Sequence, residues 1–303
     1  MTELTDFQKK IAQLLDGMQL RFCEPMHKHT SFRIGGGAEV MAFPESAEEL
    51  AKILKTSALL DVEPAILGAG TNILAPDEGI QGLVICLKDC LSGMEQLEEN
   101  RIRVAAGVTM TRAAVFAAGL GLSGLEFAHG IPGTVGGGVY MNAGAYGGEI
   151  KDICQSVEVM DMKGNVHVYT AEDMKFSYRH SVLEEKQGIV VSAVFCLEPK
   201  PEQEIRARMK ELQAKRTASQ PLDLPSAGSA FKRPVGAYAA ALIDEAGLKG
   251  FAVGDAAISQ KHAGFAVNLG HATAADMREL LKQVSDIVYE KSGFRLEPEV
   301  RIW

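Results

Sequence analysis

Residues 119–148 read GLGLSGLEFAHGIPGTVGGGVYMNAGAYGG, and they decide what kind of fold the chain can adopt. They hold 11 of the chain's 31 glycines. No regular helix or strand is expected to tolerate that density, because glycine loses the most backbone freedom on folding and brings no side chain to pack. A loop-rich region is therefore expected, bordered by short elements. Strand-like runs precede it: AEVMAF at 38–43, PAIL at 64–67, LVICL at 83–87 and RIRVAA at 101–106. Others follow it: SVEVMD from 156, VHVYT from 166 and GIVVSAVFCL from 188. Strands this short and glycine-interrupted do not build a regular parallel α/β sheet, so the predicted class is α+β.

Helical signals lie outside this region. Phe7, Ile11, Leu14 and Leu15 share one face of a helix predicted over 5–18. Ser46 and Glu49 form a capping box ahead of Leu50, Ile53 and Leu54. Further helices are predicted over 109–119, 201–218, 236–246 and 273–291, the last capped by Thr273 with Asp276. The segment QPLDLPSAGSAFKRP bends the chain, and the region near 200–220 is the expected boundary before a separate C-terminal α/β unit.

Composition excludes several classes. The 303 residues are 47% hydrophobic and 23% charged, enough to bury a core without staples and incompatible with disorder as the main state. A net charge of −8 disfavours general binding of nucleic acid or anionic membrane, which needs a basic footprint. No apolar run reaches membrane-spanning length, and the charged N-terminus lacks the apolar stretch of a signal peptide. Five irregularly spaced cysteines without a CxxC pair fit free thiols in a reducing compartment, so a cytoplasmic protein is expected. Cys23, His27 and His29 lack an evident fourth ligand, and no metal is predicted.

Gly119, Gly121 and Gly124 match G-x-G-x-x-G, but the match follows a predicted helix and leads into loop, the reverse of a dinucleotide fingerprint. LGAGTNIL at 67–74 leaves a strand but lacks the third glycine, and no Walker A pattern exists. Loops at 68–72 and 130–138 can instead bring bare main-chain N–H groups close to a pyrophosphate. The same loops could equally be tightly packed structural turns.

LGAGTNIL, HGIPGTVGGGVYMNAGAYGGEI, FSYRHS, AGSAFKRP and LEPEVRIW stand in the order seen in UDP-N-acetylenolpyruvoylglucosamine reductases, also called UDP-N-acetylmuramate dehydrogenases. The chain resembles that family from about residue 25 to 303, in its shorter type without an extra insertion in the last domain. The resemblance implies a two-subdomain FAD-binding module of the vanillyl-alcohol-oxidase-like (PCMH) type plus a C-terminal α/β substrate domain. The implied divisions are 1–80 with 294–303, then 81–203, then 204–293. FAD would be noncovalent, so His129 is not an attachment site. Gly68, Ala69, Gly70, Thr71 and Asn72 would line one side of it, and Gly133, Thr134, Val135, Gly136, Gly137 and Asn142 the other, with residues 29–32 nearby. NADPH would be the hydride donor, and the substrate UDP-N-acetylglucosamine enolpyruvate would become UDP-N-acetylmuramate for peptidoglycan. A monomer with no nucleic-acid or membrane partner is expected.

The residue types suit that reaction. Arg179 in FSYRHS matches the family's arginine, and a planar guanidinium suits the carboxylate conjugated to the reacting double bond. Ser229 in AGSAFK matches the proton donor. Glu299 in PEVR matches the third catalytic position, and in its protonated form it could share the enolate charge. Tyr178, Lys232, Lys261, His262 and Asn268 are the candidate substrate contacts. Arg233 stands where many relatives carry asparagine. Two other functions are compatible with the same sequence: a flavin oxidase of the same fold, and a non-catalytic UDP-sugar-binding regulator.

Overall fold

The computed structural model of the protein describes residues 3–303. The chain divides into two compact units. The first comprises the chain up to Phe22, Glu39–Ala69 and Gly82–Ala214; the second comprises Cys23–Ala38, Gly70–Gln81 and Lys215–Trp303.

In the first unit, α1 (Asp6–Leu14) starts in a complete capping box between Thr5 and Gln8. Helix α2 (Ala47–Leu59) starts at Ser46, whose hydroxyl accepts from the Glu49 N–H. The reciprocal bond expected from Glu49 goes elsewhere: its carboxylate accepts from the Glu45 N–H, one residue before the cap. Ile11 of α1 and Leu50, Ile53 and Leu54 of α2 are fully buried in one cluster with Val40, Leu83 and Ile85. Those last three lie in a sheet whose strand order is Leu20–Pro25, Gly37–Ala42, Ile80–Cys86, Ala65–Leu67.

The larger core of this unit is built on a five-stranded sheet in the order Val166–Thr170, Cys154–Asp161, Gly188–Cys196, Arg101–Ala105, Met94–Gln96, with every pairing antiparallel. Helix α3 (Met110–Gly119) contributes Ala113, Ala114, Ala117 and Ala118 to that core. Such small residues let α3 pack closely within that core. The glycine-rich stretch was expected to lack regular structure, yet Val135–Tyr140 forms a short helix, α4, through Gly136, Gly137 and Gly138. Close packing accounts for it. A Cβ on Gly136 would lie 2.8 Å from the Ala106 Cβ, and one on Gly138 2.8 Å from the Met110 sulfur. Contact with the core offsets the conformational cost of three glycines. Helix α5 (Glu202–Ser219) runs through the predicted boundary, and the division between units falls inside it, after Ala214.

The second unit holds an antiparallel sheet in the order Ser226–Ser229, Phe265–Asn268, Ala256–Ile258, Ala252–Val253. Helices α6 (Ala239–Glu245) and α7 (Ala274–Ser292) bury Ile243, Met277, Leu280, Leu281, Val284 and Val288 in one cluster with sheet residues Ala227, Ala256, Ile258 and Ala266. The Thr273–Asp276 box opens α7, and Gly293 at φ 76° ends it. Asp77 adds a second cap, accepting from the N–H groups of Ala274 and Ala275. That ties the 70–81 segment to α7. The predicted C-terminal strand is short: Arg301–Ile302 pairs in parallel with Ile73–Leu74. Among the described residues no helix is long and apolar enough to cross a membrane.

Candidate active site

In the first unit, the strand Ala65–Leu67 delivers the chain into Gly68 and Ala69. Gly68 has no room for a side chain, since a Cβ there would stand 2.8 Å from the Thr134 hydroxyl. The two glycine loops predicted from sequence therefore touch, Gly68 against Thr134. Thr134 also caps α4, its hydroxyl accepting from the Gly137 N–H at 3.3 Å. The main-chain N–H groups of Val135 and Gly136 are used within the protein, by the carbonyls of Val108 and Ala106. Among the described residues, those of Gly68, Ala69, Gly133 and Thr134 meet no protein acceptor. Thr134 is buried and the other three are part-buried. Four main-chain donors without a protein acceptor on two abutting loops, one without space for a Cβ, fit an anionic group such as the diphosphate of a dinucleotide cofactor.

Beyond the loop, Asn142 is fully buried and holds left-handed backbone at φ 45°. Its Nδ2 donates to Glu149 Oε2 at 2.7 Å and to the Ser177 carbonyl at 2.8 Å, while its Oδ1 accepts from the Lys151 N–H at 2.9 Å. Ser177 begins a tight turn closed by reciprocal Ser177–His180 main-chain bonds. Arg179 stands at its corner at φ 55°, a conformation that glycine ordinarily supplies. The Arg179 guanidinium donates to the Gly144 carbonyl at 3.0 Å and lies 5.2 Å from the Tyr178 ring centre. The buried Ser181 hydroxyl donates to the Tyr140 carbonyl at 2.5 Å.

In the second unit, Ser229 and Glu299 sit on adjacent stretches of main chain. The Glu299 N–H donates to the Ala230 carbonyl and the Lys232 N–H to the Glu297 carbonyl, both at 2.9 Å. One extra residue lies between Ser226 and Ser229 relative to their partners Val267 and Phe265, a β-bulge. Gly228 supplies its φ of 78°. Bulges re-aim the side chain that follows, here the exposed Ser229. The Asn72 side chain donates to the Glu299 carbonyl at 3.0 Å, and the Asn72 carbonyl accepts from the Arg301 N–H. Of the 29–32 segment, the Ser31 N–H donates to the Gly70 carbonyl, and a Cβ on Gly70 would collide with the His29 carbonyl oxygen. His29 Nε2 is 2.8 Å from Glu24 Oε1.

The candidate substrate contacts in this unit divide by exposure. Lys232 is exposed and 3.5 Å from Glu297, and Arg233 lies over the exposed Tyr238 ring at 3.9 Å. Lys261 Nζ donates to the Thr217 carbonyl at 2.7 Å. His262 Nδ1 accepts from the Gly264 N–H at 3.1 Å, and burial keeps its pKa below the ordinary 6.5, so the ring is neutral near pH 7. Asn268 is buried, bonding to the Phe32 carbonyl and to the N–H groups of Gly270 and Ala272.

Residues 220–303 match the family described as "UDP-N-acetylenolpyruvoylglucosamine reductase, C-terminal domain", and residues 38–170 match "FAD binding domain". A UDP-N-acetylenolpyruvoylglucosamine reductase of Agathobacter rectalis is 46% identical over 98% of both chains. The chain belongs to the UDP-N-acetylenolpyruvoylglucosamine reductase family. The solved structure of the Thermus caldophilus member superposes with a TM-score of 0.78 and 38% identity, covering 94% of this chain and 98% of that one. An alkyldihydroxyacetonephosphate synthase shares the fold alone, with a TM-score of 0.51 and 15% identity over 66% of this chain and 42% of its own. The protein is thus an oxidoreductase with an FAD-binding domain followed by the family's C-terminal domain, and the α+β class and flavin-module architecture expected from sequence hold.

The family motifs mark Thr134 as a cofactor-loop residue but not as the N-cap of α4, although a threonine before V-G-G carries that signal. Ser181, Tyr140 and Gly144 give no signal, because they meet across some 35–41 residues through main-chain atoms. Asn72 is marked as a cofactor-loop residue, but its bond to Glu299 spans 227 residues and is silent in the sequence.

Proposed function

We propose that the protein reduces UDP-N-acetylglucosamine enolpyruvate to UDP-N-acetylmuramate, using FAD with NADPH as electron donor, as a cytoplasmic monomer in peptidoglycan precursor synthesis. The observation that carries this most directly is the ladder setting Ser229 beside Glu299, with Asn72 bonded to the Glu299 carbonyl. Gly68, Ala69, Gly133 and Thr134 would hold the cofactor diphosphate through main-chain N–H groups, with Gly70, Thr71, Asn72, Val135, Gly136 and Gly137 shaping the loops around it. The chemistry FAD supplies when bound is two-electron transfer from NADPH to the enolpyruvyl double bond.

The chain's own residues do the rest. Arg179 would pair with the substrate carboxylate, where charge builds as the double bond is reduced. Ser229 would deliver a proton to the carbon bearing the ether oxygen. A serine is a weak acid, so it depends on being aimed, which the bulge at Gly228 provides. Glu299, protonated, would share the enolate charge. Tyr178, Lys232 and His262 remain the proposed contacts to the sugar nucleotide. We assign Lys261 and Asn268 to holding the walls, since their polar groups bond to Thr217, Phe32, Gly270 and Ala272. The three-part division into 1–80 with 294–303, 81–203 and 204–293 is retained as a proposal. It is supported by the pairing of Arg301–Ile302 with Ile73–Leu74.

The test is the visible spectrum of the purified protein before and after anaerobic NADPH. A flavin spectrum that bleaches, then recovers on adding the enolpyruvyl sugar nucleotide, supports cofactor, donor and acceptor together. Recovery only with air points to an oxidase. Tight UDP-sugar binding without a flavin spectrum, even after FAD is supplied, points to a binding protein.

A further inference from the structure

We propose that Asn142, with Glu149 behind it, is a positioning residue for Arg179 rather than a cofactor contact. This inference rests on the proposed role of Arg179 in substrate reduction. Arg179 occupies left-handed backbone that is unfavourable for a non-glycine residue, and such strain persists only where surrounding structure enforces it. The enforcement comes from one short segment. Residue 140 takes the Ser181 hydroxyl, residue 142 takes the Ser177 carbonyl, and residue 144 takes the Arg179 guanidinium. The middle contact is the one made by an amide side chain. Both hydrogens of Asn142 Nδ2 are engaged, one by Ser177 and one by Glu149, and its Oδ1 is held by the Lys151 N–H.

Glu149 fixes the orientation of that amide. Its Oε2 accepts from Asn142, Lys151 Nζ is 3.3 Å from the same carboxylate, and its own N–H is bonded to Asp152. Gly144 pairs with Glu149 across a two-residue hairpin, so the carbonyl that accepts from Arg179 and the carboxylate that orients Asn142 belong to one rigid piece. A carboxylate facing Asn142 demands a donor there. Aspartate at 142 is nearly isosteric, keeps the acceptor for Lys151, removes the donor to Ser177 and opposes Glu149 with like charge. It should free the turn without opening a cavity.

The experiment compares the full-length FAD-loaded enzyme with its Asn142→Asp and Glu149→Gln variants. Flavin reduction by NADPH and reoxidation by the enolpyruvyl sugar nucleotide are timed separately under anaerobic conditions, and hydrogen exchange is followed across residues 176–182. The expected result for Asn142→Asp is reoxidation slowed about 10- to 100-fold, as for a misplaced catalytic group. NADPH reduction and FAD affinity should stay within about twofold of wild type, and exchange in the turn should rise. Combining it with Arg179→Lys should add little further loss. Glu149→Gln should show the same pattern at smaller size, and it decides the matter if Asn142→Asp does not fold. Loss of FAD, or equal slowing of both half-reactions, would make Asn142 a cofactor or core residue and overturn the proposal. Wild-type reoxidation rates with unchanged exchange would overturn it too. If the wild-type enzyme itself is not reoxidised by the sugar nucleotide, the reductase assignment fails instead. The exchange measurement still decides whether Asn142 holds the turn.

Discussion

Arg179 and Glu299 are secured by opposite means. Arg179 sits on left-handed backbone and is gripped from outside, by the Gly144 carbonyl on its guanidinium and by Asn142 and Tyr140 on the residues flanking it. Glu299 needs no positive φ, and its own main chain does the holding, N–H to Ala230 and carbonyl to Asn72. The first arrangement stores strain to aim a cation. The second leaves a carboxylate on a hydrogen-bonded ladder whose geometry barely depends on the side chain. Substitution at the first should therefore separate stability from activity, whereas damage around the second should move both together.

The largest expected effect tests that separation. Arg179→Gly removes the guanidinium, and substrate-driven flavin reoxidation should fall about 10²- to 10³-fold, the range for losing one preorganised donor to developing charge. Stability should hardly change. Relief of left-handed backbone is worth about 1 kcal/mol, and the lost bond to the Gly144 carbonyl about the same with opposite sign. Thermal unfolding alongside single-turnover kinetics checks both. A large drop in melting temperature would mean that the turn is held by Arg179 instead of holding it.

At the other site, Gly228→Ala forces a left-handed alanine into the bulge that precedes Ser229. Nothing lies within 4 Å of a Cβ there, so the penalty is conformational, about 1 kcal/mol. With Ser229 as the proposed proton donor, loss of the bulge's aim should also slow reoxidation, by about tenfold. Denaturant unfolding and the same kinetics should show the two losses together. Activity unchanged at reduced stability would remove Ser229 aiming from the account.

Asn72→Ala probes the ladder itself, through the bond from Asn72 Nδ2 to the Glu299 carbonyl. Loss of one part-buried hydrogen bond costs about 1 kcal/mol. Stability and reoxidation should decline together by a few-fold each, and a shift confined to FAD affinity would make Asn72 a pure cofactor residue.

These contrasts also explain what could be read from the sequence. The strands of the five-stranded sheet were legible because VHVYT, SVEVMD and GIVVSAVFCL carry strand composition between turn signals. The Thr273–Asp276 cap was legible because a capping box is local. The helix inside VGGGVY was not, because glycine's low propensity is outweighed there by contact with Ala106 and Met110, which lie far away in sequence. The three catalytic candidates were visible only through family motifs, since a lone arginine, serine or glutamate says nothing by itself. What holds them was invisible: Asn142 looked like part of a cofactor loop, and only the fold directs its amide to Ser177, 35 residues on.

The smallest effect concerns His262, in the same unit as Glu299 but held like Arg179, through a side-chain contact. Its Nδ1 accepts from the Gly264 N–H, its ring meets Phe265 edge-on at 5.0 Å, and burial lowers its pKa below the ordinary 6.5. The unfolded chain therefore binds a proton more readily than the folded one between the lowered value and 6.5. Stability rises with pH across that window and is lost as pH falls through it. Below the folded value both states are protonated and the dependence ends. Replacing His262 with glutamine, which can still accept from Gly264, should remove this slope while leaving stability at pH 8 nearly unchanged. Melting temperature measured in steps from pH 8 to pH 5 for both proteins gives the difference directly. A slope of equal size in the glutamine variant would place the proton elsewhere, and a slope of opposite sign in wild type would mean that His262 is stabilised in its charged form despite its burial.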